Sequence, residues 1–126
     1  MSEKFEKDNT FVTGRFKSIG FAVKGVIKLI TTEHSVMVQS SIAIILIFAG
    51  FYFQISRTDW MFQILAFGLV LGIEGLNTAV EKIADFVHPD YHKRIGFIKD
   101  IAAGSVFFAA MTAIAIGLMI YLPIFL

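Results

Sequence analysis

Long apolar stretches alternate with short polar segments along the chain, and this alternation predicts its helices. Three stretches, residues 34–55, 60–84 and 99–122, reach the roughly 20 apolar residues that a membrane-spanning helix needs. Before them, residues 11–31 carry apolar side chains on one helical face and lysines on another, which is typical of a helix lying at a membrane surface. We predict an all-α membrane protein with three transmembrane helices and an N-terminal amphipathic surface helix, in a single domain over residues 1–126.

Composition supports this class. The chain is 56% hydrophobic with 14 Phe and a mean hydropathy of +0.75, which is too apolar for a soluble domain of this size. The absence of Cys excludes disulfides and thiolate metal sites. The first ten residues are polar, so we expect no cleavable signal peptide and only loose order there. No nucleic-acid partner is expected.

The distribution of basic residues predicts the orientation. Lys and Arg are frequent before the first span and between the second and third, and they are scarce elsewhere. The positive-inside rule therefore places the N-terminus and the second connection in the cytoplasm, and the C-terminus outside. Glu33, Glu81 and Asp85 should then collect on the cytoplasmic side, with Glu74 just below it in the membrane.

One face of the second span carries a row of polar side chains. Helical spacing puts on this face Glu74, Asn77, Glu81 and Asp85. An ionisable group at the depth of Glu74 is a functional candidate by default, and carboxylates are among the side chains that act as general bases. Glu33 and Glu81 are oxygen donors of the kind that Mg²⁺ uses beside bound phosphates.

Other polar residues allow plainer interpretations. Thr31 and Thr32 predict a break and a helix N-cap, because their hydroxyls can accept from the next turn. Gln39 either makes a helix contact, which we favour, or lines a cleft. Asp85 is either a solvated loop residue or the partner of Lys82 near the helix end.

The second connection and the start of the third span hold further polar residues. His88 and His92 are four residues apart, but Pro89 disfavours a regular helix through them and no zinc site is expected. Lys99 can neutralise a phosphate, and Asp100 can either contact a ligand or cap the third helix. The sequence has no Walker-type phosphate loop or Rossmann fingerprint, so any use of ATP would need a different construction.

Two sequence blocks are specific in combination. They are E-x-x-N-T-A-V-E-x-x-x-D at residues 74–85 and K-D-x-A-A at residues 99–103. Together with the Lys24-Gly25 pair and Glu33, they resemble the prokaryotic diacylglycerol kinase family, which includes undecaprenol kinases. The resemblance extends from about Arg15 to the third span.

The resemblance implies a homotrimeric lipid kinase of the bacterial plasma membrane that uses ATP and Mg²⁺ at the cytoplasmic boundary. Glu74 would be the general base for a lipid hydroxyl, Asn77 would orient the reacting groups, and Glu33 with Glu81 would hold Mg²⁺. The positions that it implies for nucleotide binding are Phe21, Glu33, Glu81, Asp90, Tyr91, His92, Lys99 and Asp100.

The lipid acceptor remains open. Gly14 stands where the diacylglycerol branch has Arg, Phe21-Ala22 replaces its Tyr-Ser pair, and Ser35 replaces an Asn common in the undecaprenol branch. We expect phosphorylation of diacylglycerol to phosphatidate, with undecaprenol as the alternative. Two other classes stay possible, namely a small transporter or channel subunit with Glu74 on an ion path, and a structural or regulatory membrane protein.

Overall fold

The computed structural model describes residues 11–126, which form four α-helices joined by short connections. These helices are α1 (Phe11–Thr32), α2 (His34–Tyr52), α3 (Arg57–Val87) and α4 (Lys93–Phe125). The last three are each long and apolar enough to cross a membrane. The predicted all-α class with three candidate spans is therefore confirmed, whereas the loose order expected for residues 1–10 lies outside the described residues.

The two C-terminal helices are longer than predicted. α3 has 31 residues and α4 has 33, which corresponds to lengths of roughly 45–50 Å against a hydrocarbon core of about 30 Å. Polar residues can continue a helix once it has left the hydrocarbon, and for this reason α4 begins at Lys93, six residues before the predicted start at Lys99. The connection between α3 and α4 is correspondingly short.

Side-chain caps fix where α3 and α4 begin. The Ser56 hydroxyl accepts a hydrogen bond from the backbone N–H of Asp59 at 3.1 Å, and Nδ1 of His92 accepts from the N–H of Arg94 at 3.0 Å. These contacts satisfy N–H groups that have no partner within the first turn of a helix. The interpretation of Asp100 as a cap is wrong, because Asp100 lies well inside α4.

The predicted N-cap at Thr31 and Thr32 is also wrong. Their hydroxyls donate backwards to carbonyl oxygens one turn earlier, from Thr31 to Ile27 at 2.7 Å and from Thr32 to Lys28 at 2.5 Å. Thr hydroxyls inside a helix often bond in this way and can bend the helix. Helical hydrogen bonding continues across the junction, since the N–H of Glu33 donates to the carbonyl four residues earlier at 3.1 Å.

The chain divides into two compact units, one ending at Met37 and the other comprising Val38–Leu126. In the first unit, α1 has no buried residue. Its predicted apolar face is exposed, at Phe16, Ile19, Val23, Val26, Ile27 and Ile30. The helix itself is thus observed, while its position at a membrane surface remains a prediction.

In the second unit, α3 and α4 pack along each other as an antiparallel pair. Tyr121 contacts Gln63 near one end and Lys99 contacts Asp85 near the other. These two contacts lie 22 residues apart on both helices, counted from 63 to 85 on α3 and from 99 to 121 on α4. The two helices therefore keep one register over their shared length.

A polar cluster ties α2 to this helix pair. Gln63 is only 3% exposed, and its Nε2 donates to the carbonyl oxygen of Leu46 at 3.3 Å. The Tyr121 hydroxyl lies 2.5 Å from Gln63 Oε1 and 3.1 Å from the Leu46 oxygen. Interhelical polar contacts of this kind hold membrane helices together where burial of apolar surface supplies little driving force.

The turn from α2 to α3 is tight. Gln54 adopts a left-handed backbone conformation with φ of 52°, and the N–H of Ile55 donates to the carbonyl of Gly50 at 3.1 Å. The Trp60 ring lies against Gly50 and packs at a tilt of 51° on Phe51, with 4.9 Å between the ring centroids. A residue without a side chain at Gly50 is thus what lets the Trp60 ring close this turn.

We expect Gly50→Ala to lower the free energy of unfolding by about 1–3 kcal/mol, the usual cost of overpacking. A Cβ at this position would lie 2.7 Å from two atoms of the Trp60 ring. Unfolding of the purified protein in detergent measures the change. The matched control is Gly68→Ala, where nothing lies within 4 Å and helix propensity favours Ala. Equal losses in the two variants would contradict the role assigned to Trp60.

Candidate active site

The polar row on α3 runs from a buried to an exposed environment. Glu74 is 7% exposed, Asn77 is half-buried, and Glu81 and Asp85 are exposed. From Glu74 to Asp85 the helix rises by roughly 16 Å. The row therefore connects the interior of the helix bundle to the C-terminal end of α3, where its side chains are exposed.

Gln39 on α2 holds the buried end of the row. Its Nε2 donates to Oε2 of Glu74 at 3.5 Å. Its Oε1 is buried and has no hydrogen-bond partner among the described residues. Gln39 also lines an apolar cavity of about 620 Å³ between α2, α3 and α4. Both interpretations of Gln39, as a helix contact and as a cleft residue, thus describe the same side chain.

Asn77 and Glu81 form the middle of the row. Asn77 Nδ2 donates to Oε1 of Glu81 at 3.2 Å, so the observed contact of Asn77 runs to Glu81, one turn further along α3. Asn77 Oδ1 is buried without a partner in the part of the chain that the structure describes. An unpaired amide oxygen beside an exposed carboxylate is a set of hard oxygen donors, which is the chemistry that fits Mg²⁺.

The other predicted metal ligand, Glu33, belongs to the first unit, where it is half-buried. No group of three or more His, Cys, Asp or Glu side chains gathers within residues 11–126. A cation held by one or two carboxylates would therefore take its remaining ligands from a phosphate-bearing substrate and from water, which is how Mg²⁺ is commonly bound.

At the exposed end of the row, α4 contributes a cation. Lys99 Nζ lies 2.6 Å from Oδ1 of Asp85, and their side chains are 37% and 58% exposed. The sequence offered Asp85 only solvent or Lys82 as its surroundings. The pair with Lys99 depends on the register between α3 and α4, which is a tertiary feature with no signal in the local sequence.

The predicted nucleotide-binding residues of the second connection make contacts within the loop itself. His92 caps α4, and Nδ1 of His88 lies 2.6 Å from the carbonyl oxygen of Asp90. The side chains of Asp90, Tyr91 and His92 are all exposed. These contacts engage one ring nitrogen of each histidine, and they leave the exposed loop side chains accessible to a ligand.

Of the remaining predicted positions, Asp100 is exposed in the third turn of α4. Phe21 lies in the first unit, half-buried, and its ring is 5.8 Å from the Lys24 ammonium nitrogen. The structure therefore brings together Asn77 with Glu81, and Asp85 with Lys99, whereas Phe21 and Glu33 belong to the other compact unit.

Comparison with known proteins gives this membrane helix bundle a class. The family model for prokaryotic diacylglycerol kinase matches residues 20–121. An undecaprenol kinase of Bacillus subtilis is 33% identical over 108 residues, covering 86% of this chain and 88% of that protein. A diacylglycerol kinase of Synechocystis sp. is 30% identical over 107 residues, covering 84% of this chain but only 61% of that protein.

These matches and the three apolar helices define a membrane-embedded enzyme of the lipid kinase class. The chain belongs to the prokaryotic diacylglycerol kinase family. Membership of a kinase family implies the use of ATP, and it favours an enzyme over the channel subunit and the structural protein that the sequence had left possible.

We expect Gln39→Leu to lower the free energy of unfolding by about 1 kcal/mol, because the buried Glu74 carboxylate would lose its hydrogen-bond donor. Thermal unfolding in detergent measures this loss. In a Glu74→Leu background the same change should cost little, since no carboxylate is then left without a donor. A loss of the same size in both backgrounds would show that the hydrogen bond to Glu74 is not its cause.

Proposed function

We propose that this protein transfers the γ-phosphoryl group of ATP to the hydroxyl of a membrane lipid, with Glu74 as the general base. The observation that carries the proposal is the burial gradient along the polar row of α3. At the buried end of the row, Glu74 could meet a group that arrives from the apolar side. At the exposed end, Lys99 of α4 lies beside Asp85 and could meet an anion that arrives from water.

A lipid alcohol suits the buried end of the row. Gln39 contacts Glu74 and also lines the apolar cavity of about 620 Å³, so that a hydrocarbon chain and its hydroxyl could be received side by side. Carboxylates are common general bases, and proton abstraction requires hydrogen-bond reach between base and hydroxyl. The Gln39 N–H would hold the carboxylate in one orientation while its other oxygen meets the substrate.

In the proposed reaction, the lipid oxygen attacks the γ-phosphorus in line with the bond to the leaving group. An O–P bond forms, the bond between the γ-phosphorus and the bridging oxygen breaks, and ADP leaves with that electron pair. Glu74 takes the hydroxyl proton. Phosphoryl transfer depends mainly on positioning and on neutralising charge, and Lys99 would neutralise part of the phosphate charge.

We propose Glu33 and Glu81 as the ligands of Mg²⁺, which when bound would neutralise further phosphate charge. The unpaired oxygen of Asn77 beside Glu81 supports this position. The proposed nucleotide site also includes further residues, which are assigned to it because of the family resemblance or because they are exposed. They are Phe21, Asp90, Tyr91, His92 and Asp100.

Diacylglycerol is the proposed acceptor, with phosphatidate as the product. Undecaprenol is a second candidate, because the relative named undecaprenol kinase matches over 88% of its length whereas the relative named diacylglycerol kinase matches over 61%. Both acceptors present a single hydroxyl on a long apolar body, and the same base could serve either.

We also propose a homotrimer, with the N-terminus and the site in the cytoplasm, the C-terminus outside and α1 on the membrane surface. Support comes from the apolar side chains that α1 exposes. It also comes from the low burial of the three spans, because at most 17% of the residues in the most apolar part of each span are buried within a single copy. A single copy therefore leaves most of its apolar surface available for lipid and for neighbouring copies.

We expect the purified protein to phosphorylate one of the two lipids in the presence of ATP and Mg²⁺, and Glu74→Gln to reduce kcat about 10²–10⁴-fold, the usual contribution of a general base. Diacylglycerol and undecaprenol are offered separately, and kcat/KM is compared. Size-exclusion chromatography in detergent should show unchanged assembly of the variant.

The matched control is Asp59→Asn, which neutralises a carboxylate at the opposite end of α3 and should leave turnover intact. Turnover of Glu74→Gln at the rate of the unchanged protein would overturn the assignment of the base. Absence of phosphorylation with both lipids would overturn the proposed function.

We expect Glu33→Gln and Glu81→Gln each to raise the Mg²⁺ concentration for half-maximal activity, by about 10-fold or more, because each removes an anionic ligand. Titration of Mg²⁺ at fixed ATP measures the shift, and Asp59→Asn again serves as the control. Unchanged metal dependence in both variants would show that the metal is held elsewhere.

A further inference from the structure

The electrostatics of α3 and α4 do not explain the ion pair between Asp85 and Lys99. Asp85 lies in the last turn of α3, where the helix dipole disfavours a negative charge, and Lys99 lies in the second turn of α4, closer to the end that disfavours a positive one. Neither charge is thus explained by stabilisation of its own helix. The charge of Asp85 is opposed by its own helix, Lys99 lies beyond the first turn of α4 where the dipole acts most strongly, and each charge is favoured by the other residue.

Stability does not explain the pair either. The two side chains are 37% and 58% exposed, and exposed ion pairs contribute little to the free energy of folding because water and salt screen them. The register of α3 against α4 is already held by the packing of the two helices and by the contact between Gln63 and Tyr121. The proposed ligand-binding role of Lys99 offers another explanation of this 2.6 Å contact.

Its geometric effect is to hold a flexible cation beside the polar row. Asp85 follows Glu81 by one helical turn, a rise of roughly 6 Å, so the Lys99 ammonium is held within about one turn of the carboxylate proposed to bind the metal. A free lysine side chain has four rotatable bonds, and ordering it upon ligand binding costs entropy. The pair restricts that freedom before any ligand arrives.

We propose that Asp85 is a positioning residue that preorganises Lys99 for the triphosphate of the nucleotide. The inference rests on the proposed function, in which Lys99 meets the phosphates, and it adds the residue through which that lysine is held. Asp85 acts through Lys99 without touching the reacting atoms. Its loss should consequently weaken the binding of nucleotide far more than it slows the chemical step.

The test measures two quantities in the full-length protein in detergent, the KM for ATP during lipid phosphorylation and the Kd for ATP without lipid. We expect Asp85→Asn to raise both by about 3- to 10-fold, the usual cost of ordering one long side chain. We expect kcat and the unfolding temperature to change little. Asp85→Glu, which can still reach the lysine, should restore most of the affinity, and Asp59→Asn serves as the control.

A double-mutant comparison separates positioning from a general charge effect. In a Lys99→Gln background, Asp85→Asn should cause no further loss of ATP affinity, because Asp85 acts only through that lysine. An equal loss in both backgrounds, unchanged affinity of Asp85→Asn, or tighter binding caused by release of the lysine would each overturn the inference.

The binding measurement also distinguishes the inference from the proposed function. If ATP binds and depends on Asp85 and Lys99 as described, but neither lipid is phosphorylated, the acceptor assignment fails and the positioning role is supported. If Lys99→Gln binds ATP as tightly as the unchanged protein, the nucleotide role of Lys99 fails and the positioning role fails with it.

Discussion

Polar groups in apolar helices must find partners, because hydrocarbon offers none, and this constraint organises the second unit of the protein. Gln39 meets Glu74 at one level, and Gln63 meets Tyr121 and a backbone carbonyl about 16 Å away along α3. The two sets of contacts decide which residues of α2, α3 and α4 face one another.

The two polar levels differ in how completely their polar atoms are paired. At the level of Gln63 the amide oxygen and the amide nitrogen both have partners, so nothing remains for a ligand to satisfy. At the level of Glu74 the Gln39 contact is long, at 3.5 Å, and one buried amide oxygen lacks a partner within residues 11–126. This incomplete satisfaction at a buried position supports the proposal that the level of Glu74 receives a substrate, whereas the level of Gln63 holds helices together.

The sequence predicts well whatever depends on local periodicity. Apolar length located the three spans, and helical spacing placed Glu74 and Glu81 on one face. The predictions that failed concern helix ends, because Thr31 and Thr32 were expected to cap a helix and Asp100 was offered as a cap, whereas all three lie within helices. Whether a hydroxyl accepts from the next turn or donates to the previous one depends on where the helix begins, which propensity alone specifies poorly.

The great length of α3 and α4 has a consequence for how the proposed site would lie in bilayers of different thickness. Helices of 31 and 33 residues exceed the hydrocarbon thickness by well over a turn at one end or both. A change in bilayer thickness would be met by tilting such helices, at a modest cost for each ångström of mismatch. Since Glu74 is fixed along α3, tilting would alter its depth, and in the proposed reaction the acyl composition of the membrane would then affect how this carboxylate meets a lipid hydroxyl.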